Sequence, residues 1–336
     1  MLTAGVWQDF RTSKHLPGFV QNGKLTGKVK DSEGLFACTA EGRVRLSIHD
    51  NFALLRVALT AAQKAGEYFE SRLFQAKDVK VKSSLSDLVT DVDPACEKMI
   101  KDTILSAFPT HQILGEESVA PGAEASAKAV DGMAESSNLW IVDPLDGTTN
   151  FVYNMPLSTV SIGYAENGRL VVGVIFDPYR SEVFFALAGQ GAHLARKEEA
   201  AAWALSPSPQ LPGTRIQCSN EEKLENAVVA SGFPTRGEAR AKTTEAGLLL
   251  ANRVKNMRAL GSAALHLAYV SCARLDAFWE YDLNAWDLAA GALLVAEAGG
   301  VAMDIEGQPF TLRTRDIVVA GCGNLANELA KAVRVD

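Results

Sequence analysis

The chain has 336 residues, 47% hydrophobic and 22% charged, with a net charge of −7. That length can bury one large core or two intimate ones, and the composition is that of a globular protein rather than a disordered one. The negative balance speaks against a general electrostatic grip on nucleic acid, and no apolar run reaches the roughly 18 residues that suggest a membrane span.

Residues 1–46 carry seven basic and four acidic residues, show little hydrophobic periodicity and lack the apolar stretch of a secretory signal. They read as a disordered tail or an organelle transit peptide, with the low serine content against the second, so a cytoplasmic or a plastid location is expected. The five cysteines (Cys38, Cys96, Cys218, Cys272, Cys322) are scattered, without a CxxC pair. That pattern fits a reducing compartment and does not suggest zinc.

Folded structure is predicted from near Asp50, where Leu55, Leu59, Ala62, Gly66 and Phe69 recur at helical spacing. A second helix is predicted to start at Pro94 with Asp93 as its cap. Strands follow at "QILGEE" (112–117) and "LWIVD" (139–143). A meander comes next: "STVSIGYAE", an Asn167-Gly168 turn, "LVVGVIFDP" and "EVFFALA". The first half therefore reads as mostly antiparallel sheet behind two helices. Residues 197–212, rich in Ala, Ser and Pro, read as a surface excursion.

The second half alternates: strand "AVVASGF", a helix near 238–252, strand "MRALG", helix "SAALHLAYVSCA", strand "LDAFWEY", helix "WDLAAGALLVAEAGG" and strand "VAMDI". Two sandwiched subdomains with a cleft between them are expected.

The chemistry centres on "LWIVDPLDGTTNF" (139–151), where an apolar strand runs into two aspartates. Asp143 ends the strand, Pro144 is expected to fix a turn and Asp146 to leave it. Carboxylates held this close repel unless a cation sits between them or one takes a proton. Mg²⁺ prefers hard oxygen ligands and leaves positions for water and phosphate. Gly147 permits close backbone approach, and if Thr148 and Thr149 open a helix their amides would face an anion. The segment by itself is also compatible with an Asx-type surface turn. Other acids point the same way. "ILGEES" drives a strand into Glu116 and Glu117, and "NAWDLAAG" sets Asp287 at a helix start. Asp287 and Asp93 each have a plainer reading, as a dipole-favoured charge and an N-cap.

"GEES", "WIVDPLDGTTNF" and "WDLAAGALLVAEAGG" resemble the three signature motifs of the inositol monophosphatase family, Mg²⁺-dependent, lithium-sensitive phosphatases. "KSSLSDLVTDVD" (82–93) resembles the family segment before the first metal ligand. The resemblance runs in order from about residue 50 to 334, and "FWEYDLNAWDLAAG" is similar to plant and cyanobacterial-type members. It implies an α+β fold, a layered αβαβα sandwich of the sugar-phosphatase type with two intimate subdomains, 47–196 and 213–336, and a homodimer. It implies hydrolysis of inositol monophosphate by a metal-activated water, with a small-molecule phosphate ester as partner and neither nucleic acid nor membrane.

By the same resemblance, Glu116, Asp143 and the Leu145 carbonyl would hold one Mg²⁺, and Asp143, Asp146 and Asp287 a second. A third, weaker ion would sit near Glu116, which also counts as catalytic. Thr148, oriented by Asp93, would position the attacking water. The Gly147 and Thr148 amides would hold phosphate oxygens, with Asp146 and Asp287 also facing substrate. Glu280 and the Gly261–Ala263 turn would meet the alcohol, and Lys82 would sit near the metals. Relatives act on sugar phosphates, L-galactose 1-phosphate, histidinol phosphate or 3′-phosphonucleotides, and "DGTTNF" favours the inositol branch. A non-catalytic, metal-binding regulatory relative is the other class. Asn154 departs from the His of many relatives, and "SGFPTR" (231–236) lies where the family varies, which leaves ring specificity open.

Competing motifs fail. An EF-hand is excluded by Pro144 and Leu145. "GCGNLA" (321–326) has no room after it for a βαβ unit, no G-x-S-x-G occurs, and the five histidines share no metal-ligand spacing. His266 reads as a packed helix residue, and Trp286 as packing beside the site.

Overall fold

The computed structural model describes residues 48–82, 88–234 and 237–335, with short backbone stretches between 20 and 37. The chain divides into two units, Met1–Ala53 and Leu54–Asp336. In the first, Val20–Gln21 pairs antiparallel with Lys24–Leu25, and Lys28–Asp31 with Gly34–Ala37. The tail or transit-peptide expectation for 1–46 falls for the most part outside the described residues.

Helix α1 (Ile48–Arg72) buries Leu55, Ala58, Leu59, Ala62, Ala65 and Phe69 on one stripe, as its periodicity predicts. A hairpin of β1 (Val79–Val81) and β2 (Leu88–Thr90) leads to α2 (Val92–Ala107). Here the expected start at Pro94 is corrected. The helix begins two residues earlier, Asp91 is the N-cap, and Asp93 lies inside the first turn.

A seven-stranded sheet follows, built from β3 (Gln112–Gly115), β4 (Leu139–Asp146), β5 (Thr159–Glu166), β6 (Arg169–Asp177), β7 (Glu182–Leu187), β8 (Gly191–Arg196) and β9 (Thr214–Ile216), in spatial order 9-8-7-6-5-4-3. All neighbours are antiparallel except β3 and β4, which are joined through α3 (Ala123–Met133) and run parallel. The excursion predicted over 197–212 is half wrong. Residues Lys197–Leu205 form α5, anchored by buried Trp203, whose indole N–H reaches the carbonyls of Ser208 and Gln210.

A second sheet has the order β11 (Asn256–Arg258), β10 (Val228–Ser231), β12 (Ala277–Glu280), β14 (Ile317–Ala320) and β13 (Val301–Asp304). Between the sheets lie α7 (Ala263–Ser271) and α8 (Ala285–Glu297), nearly all buried. One core cluster joins Ile175 and Phe184 of the first sheet, Leu267 and Leu294 of these helices, and Phe278 and Val319 of the second sheet. On the far face of the second sheet, α6 (Gly237–Ala251) and α9 (Gly323–Val333) bury Leu250 and Leu329 against Trp279 and Val318.

Helix α8 approaches its sheet closely because glycine faces it. A Cβ on Gly163 would lie 2.9 Å from the Ala289 methyl, and one on Gly173 would lie 2.6 Å from the Ala290 carbonyl. The resulting seat fixes the start of α8, where Asp287 stands.

Candidate active site and metal centre

The strand that reads as ending at Asp143 continues to Asp146, so the expected turn at Pro144 is a bulge instead. Asp143 opposes Ser161 and Asp146 opposes Thr159, three steps on β4 against two on β5. Pro144 has no N–H for the ladder, so an irregularity is tolerated there. In a regular strand, residues three apart point to opposite faces. The extra residue cancels that alternation, and carboxylate oxygens of Asp143, Asp146 and Asp287 all lie within 4.8 Å of one another.

Each acid is held by its neighbours. Asp143 Oδ1 accepts the Leu145 N–H at 3.0 Å. Asp146 Oδ2 accepts the Ser262 hydroxyl at 2.5 Å and the Ala264 N–H at 2.7 Å, which ties β4 to the start of α7. Asp287 Oδ2 accepts the Asn284 N–H at 2.7 Å in a capping box. Burial, and then the charges of Glu116, Asp146 and Asp287, push the Asp143 carboxyl well above its usual range. Burial pushes Asp146 up to about 6 against the bonds from Ser262 and Ala264. Asp287 is also raised well above normal, by burial and then by Asp146 and Glu116.

Glu116 follows β3 in a 3-10 turn, Glu116–Ser118, and not in the strand as expected. Lys82 Nζ lies 2.9 Å from Glu116 Oε1 and 2.6 Å from Glu117 Oε1. Burial works to lower the Lys82 pKa, but the two glutamates raise it on balance. The rest of the segment 82–93 that carried part of the resemblance is described only from Leu88 onward.

Asp93 is buried and bridges two elements. Its Oδ2 accepts the Thr90 N–H at 2.9 Å and the Thr90 hydroxyl at 2.5 Å, and its Oδ1 takes the Thr148 hydroxyl at 3.0 Å. Thr148 Oγ1 also lies 3.2 Å from the Leu145 carbonyl. Thr148 and Thr149 do open a short helix, α4 (Thr148–Val152), whose N-cap Gly147 has φ +93°. That backbone suits glycine, and a Cβ there would meet the Leu157 carbonyl at 2.9 Å.

A cavity of about 470 Å³ is lined by Glu116, Asp146, Thr148, Gly261, Glu280 and Asp287, among others. Gly147 and Ala263 line it too, so the sequence-predicted substrate residues share one space. Glu280, expected to face the alcohol from a strand end, is buried at the end of β12. Burial, and then the charges of Asp287 and Asp146, raise its carboxyl well above normal, partly offset by the Gly232 N–H. Trp286 is buried and takes the Ser161 hydroxyl on its carbonyl. His266 is a buried packing residue whose Nε2 accepts the Leu260 N–H, and burial pushes its pKa down to about 3. Asn154 binds Lys77 at 2.8 Å, and it is not among the residues that line this cavity.

Sequence reading missed Ser262, the Asp146 partner that sits between two residues it singled out. The available signal was a serine just before an apolar helix. Ser262 is the N-cap of α7, its Oγ accepting the Leu265 N–H at 3.2 Å.

A family model described as "Inositol monophosphatase family" matches residues 50–335. The chain belongs to the inositol monophosphatase family. Among relatives of this family member, "Inositol monophosphatase 2" of Solanum lycopersicum is 38% identical over 78% of this chain and 91% of its own length. "Nus factor SuhB" of Escherichia coli K12 is 37% identical over 84% and 98% respectively. The solved extragenic suppressor protein suhB of Bartonella henselae superposes with a TM-score of 0.70 at 32% identity, covering 84% of this chain and 98% of that one. The α+β sandwich expected from the resemblance is the fold observed, with sheets flanked by helices as in solved members of the inositol monophosphatase family.

Proposed function

We propose that the chain is a Mg²⁺-dependent phosphomonoesterase that hydrolyses inositol monophosphate to inositol and phosphate. The observation that carries this is the convergence of three raised-pKa carboxylates with the Thr148–Asp93 pair at one end of the protein's cleft. The donor set fits a hard cation. It is all oxygen, its charges repel one another, and Lys82 is spent on Glu116 and Glu117. Asp143, Asp146 and Asp287 would hold Mg²⁺, with Glu116 and the Leu145 carbonyl beside them. When bound, Mg²⁺ would neutralise developing charge and lower the pKa of water.

The chain's own residues would do the rest. The Thr148 hydroxyl has one proton, and Asp93 Oδ1 or the Leu145 carbonyl can take it. Its lone pairs would then accept a hydrogen bond from the attacking water and fix its direction. Gly147 and Thr148 would offer backbone N–H groups to the phosphate. Glu280, across the same cavity, would accept hydrogen bonds from ring hydroxyls and gain nothing from a phosphate.

The first test is phosphate release from inositol 1-phosphate. We expect release with Mg²⁺, inhibition by Li⁺, and loss on chelation with EDTA that added Mg²⁺ reverses. Full activity after exhaustive chelation would overturn the reading. A panel of sugar phosphates, histidinol phosphate and 3′-phosphonucleotides in the same assay ranks the ester. Similarity to proteins named Nus factors favours one second reading, a regulatory relative that acts by binding. Folded protein with no phosphatase activity on any ester would select it. A homodimer is part of the proposal and is checked by light scattering.

Glu280 gives a further prediction. Glu280→Gln should raise KM for inositol 1-phosphate more than KM for glycerol 2-phosphate and leave Mg²⁺ dependence unchanged. Gly232→Ala should act in the same direction, because a Cβ there would lie 2.2 Å from a Glu280 carboxylate oxygen. Equal losses on both substrates would assign Glu280 to the metal site or the fold.

A further inference from the structure

Helix α2 presents two carboxylates on one stripe, four residues apart. Asp93 reaches Thr148. Glu97, one turn later and 4% exposed, reaches the other side of the site. Its Oε2 accepts the Glu117 N–H at 2.9 Å, and its Oε1 takes the Ser118 hydroxyl at 2.6 Å and Lys101 Nζ at 2.7 Å. Lys101 also meets Ser118. The carboxylate lies directly against Gly115, where a Cβ would be 2.3 Å from Oε2. Thus the 3-10 turn that carries Glu116 hangs on a buried carboxylate at one end and on a glycine too small to displace it at the other.

We infer that Glu97 is a positioning residue: by holding the Glu116–Ser118 turn from below, it sets where the Glu116 carboxylate stands and so tunes cation affinity. This rests on the reading above, in which Glu116 stands beside a bound cation. Glu97 itself touches neither cation nor substrate in that reading. Glu97→Gln keeps the shape but replaces one acceptor oxygen by a donor amide. Either the Glu117 N–H or the Ser118–Lys101 side then loses its partner, and the turn must shift. Groups that orient a metal ligand typically change affinity by about 10- to 100-fold when replaced.

The experiment titrates the whole chain with Mn²⁺ and follows the free-ion electron paramagnetic resonance signal. Thermal unfolding and the KM for Mg²⁺ are measured alongside. Glu97→Gln is expected to weaken Mn²⁺ binding about 10- to 100-fold and to raise KM for Mg²⁺ by a like factor. Turnover at saturating Mg²⁺ and KM for the ester should stay within about two-fold of wild type. Lys101→Met, which leaves the Glu97–Glu117 bond, should bind Mn²⁺ within about two-fold of wild type. Gly115→Ala, which pushes the Glu97 carboxylate aside, should weaken binding like Glu97→Gln, and the double variant should be no worse than either. If Glu97→Gln does not fold, Gly115→Ala carries the same test. Unchanged Mn²⁺ affinity in a folded variant beside a wild type that binds overturns the role of Glu97 and leaves the proposed function standing. A wild type that binds no Mn²⁺ overturns both.

Discussion

Asp146→Asn should lower turnover on inositol 1-phosphate by at least roughly 100- to 1000-fold, the scale of losing one key electrostatic group, without weakening the fold. The asparagine carbonyl can still accept from Ser262 and Ala264, the two donors that hold Asp146 in place. What disappears is one of three mutually repelling charges, so the metal-free variant should melt no lower than the metal-free parent. Activity then falls with no loss of stability, which a folding defect cannot imitate. Steady-state turnover and thermal unfolding, each with and without Mg²⁺, make the check. Near-normal turnover would remove Asp146 from the site.

The second large effect concerns the Thr148–Asp93 pair. Thr148→Ala and Asp93→Asn should each cost roughly 100-fold in turnover, the scale of misplacing the attacking water. The double variant should lose little more than the worse single one. The hydroxyl and the carboxylate act as one unit through their 3.0 Å bond, and units of this kind are not additive. Clean additivity would leave Asp93 with a local role, holding Thr90 at the start of α2.

Much of this geometry was legible in the sequence because strand ends advertise themselves. The apolar run Leu139–Val142 breaking into Asp143 and Asp146, and the apolar helix opening at Asp287, are one-dimensional signals. Their elements formed close to the expected positions. Three features were hidden for physical reasons. The bulge at Pro144 looked like a turn, because proline and glycine punctuate both, and only the β5 partner reveals the extra residue. Asp93 reads from its local pattern as a cap, because its use depends on Thr148, 55 positions away, and only the family resemblance paired the two. Helix α5 was hidden among Ala and Pro residues, since its anchor, Trp203, is one side chain with no period around it. Ser262 is marked only by its place before an apolar helix, which points to a cap and not to Asp146, and no pattern in the chain marks the work of Glu97. The two glycines beneath Glu97 and Glu280 are equally silent: what matters there is the side chain they lack.

The bonds from Asp146 to Ser262 and Ala264 span 116 and 118 positions. Closing a loop of that length costs on the order of 4 kcal/mol in chain entropy before any contact rewards it. A chain emerging from the ribosome can complete β4 and its neighbouring strands long before α7 and α8 exist to meet them. Until then the strand-end acids have no partners from the second half. The centre is therefore completed late: a nascent or truncated product that stops short of α8 holds the acids of the first half but lacks Asp287.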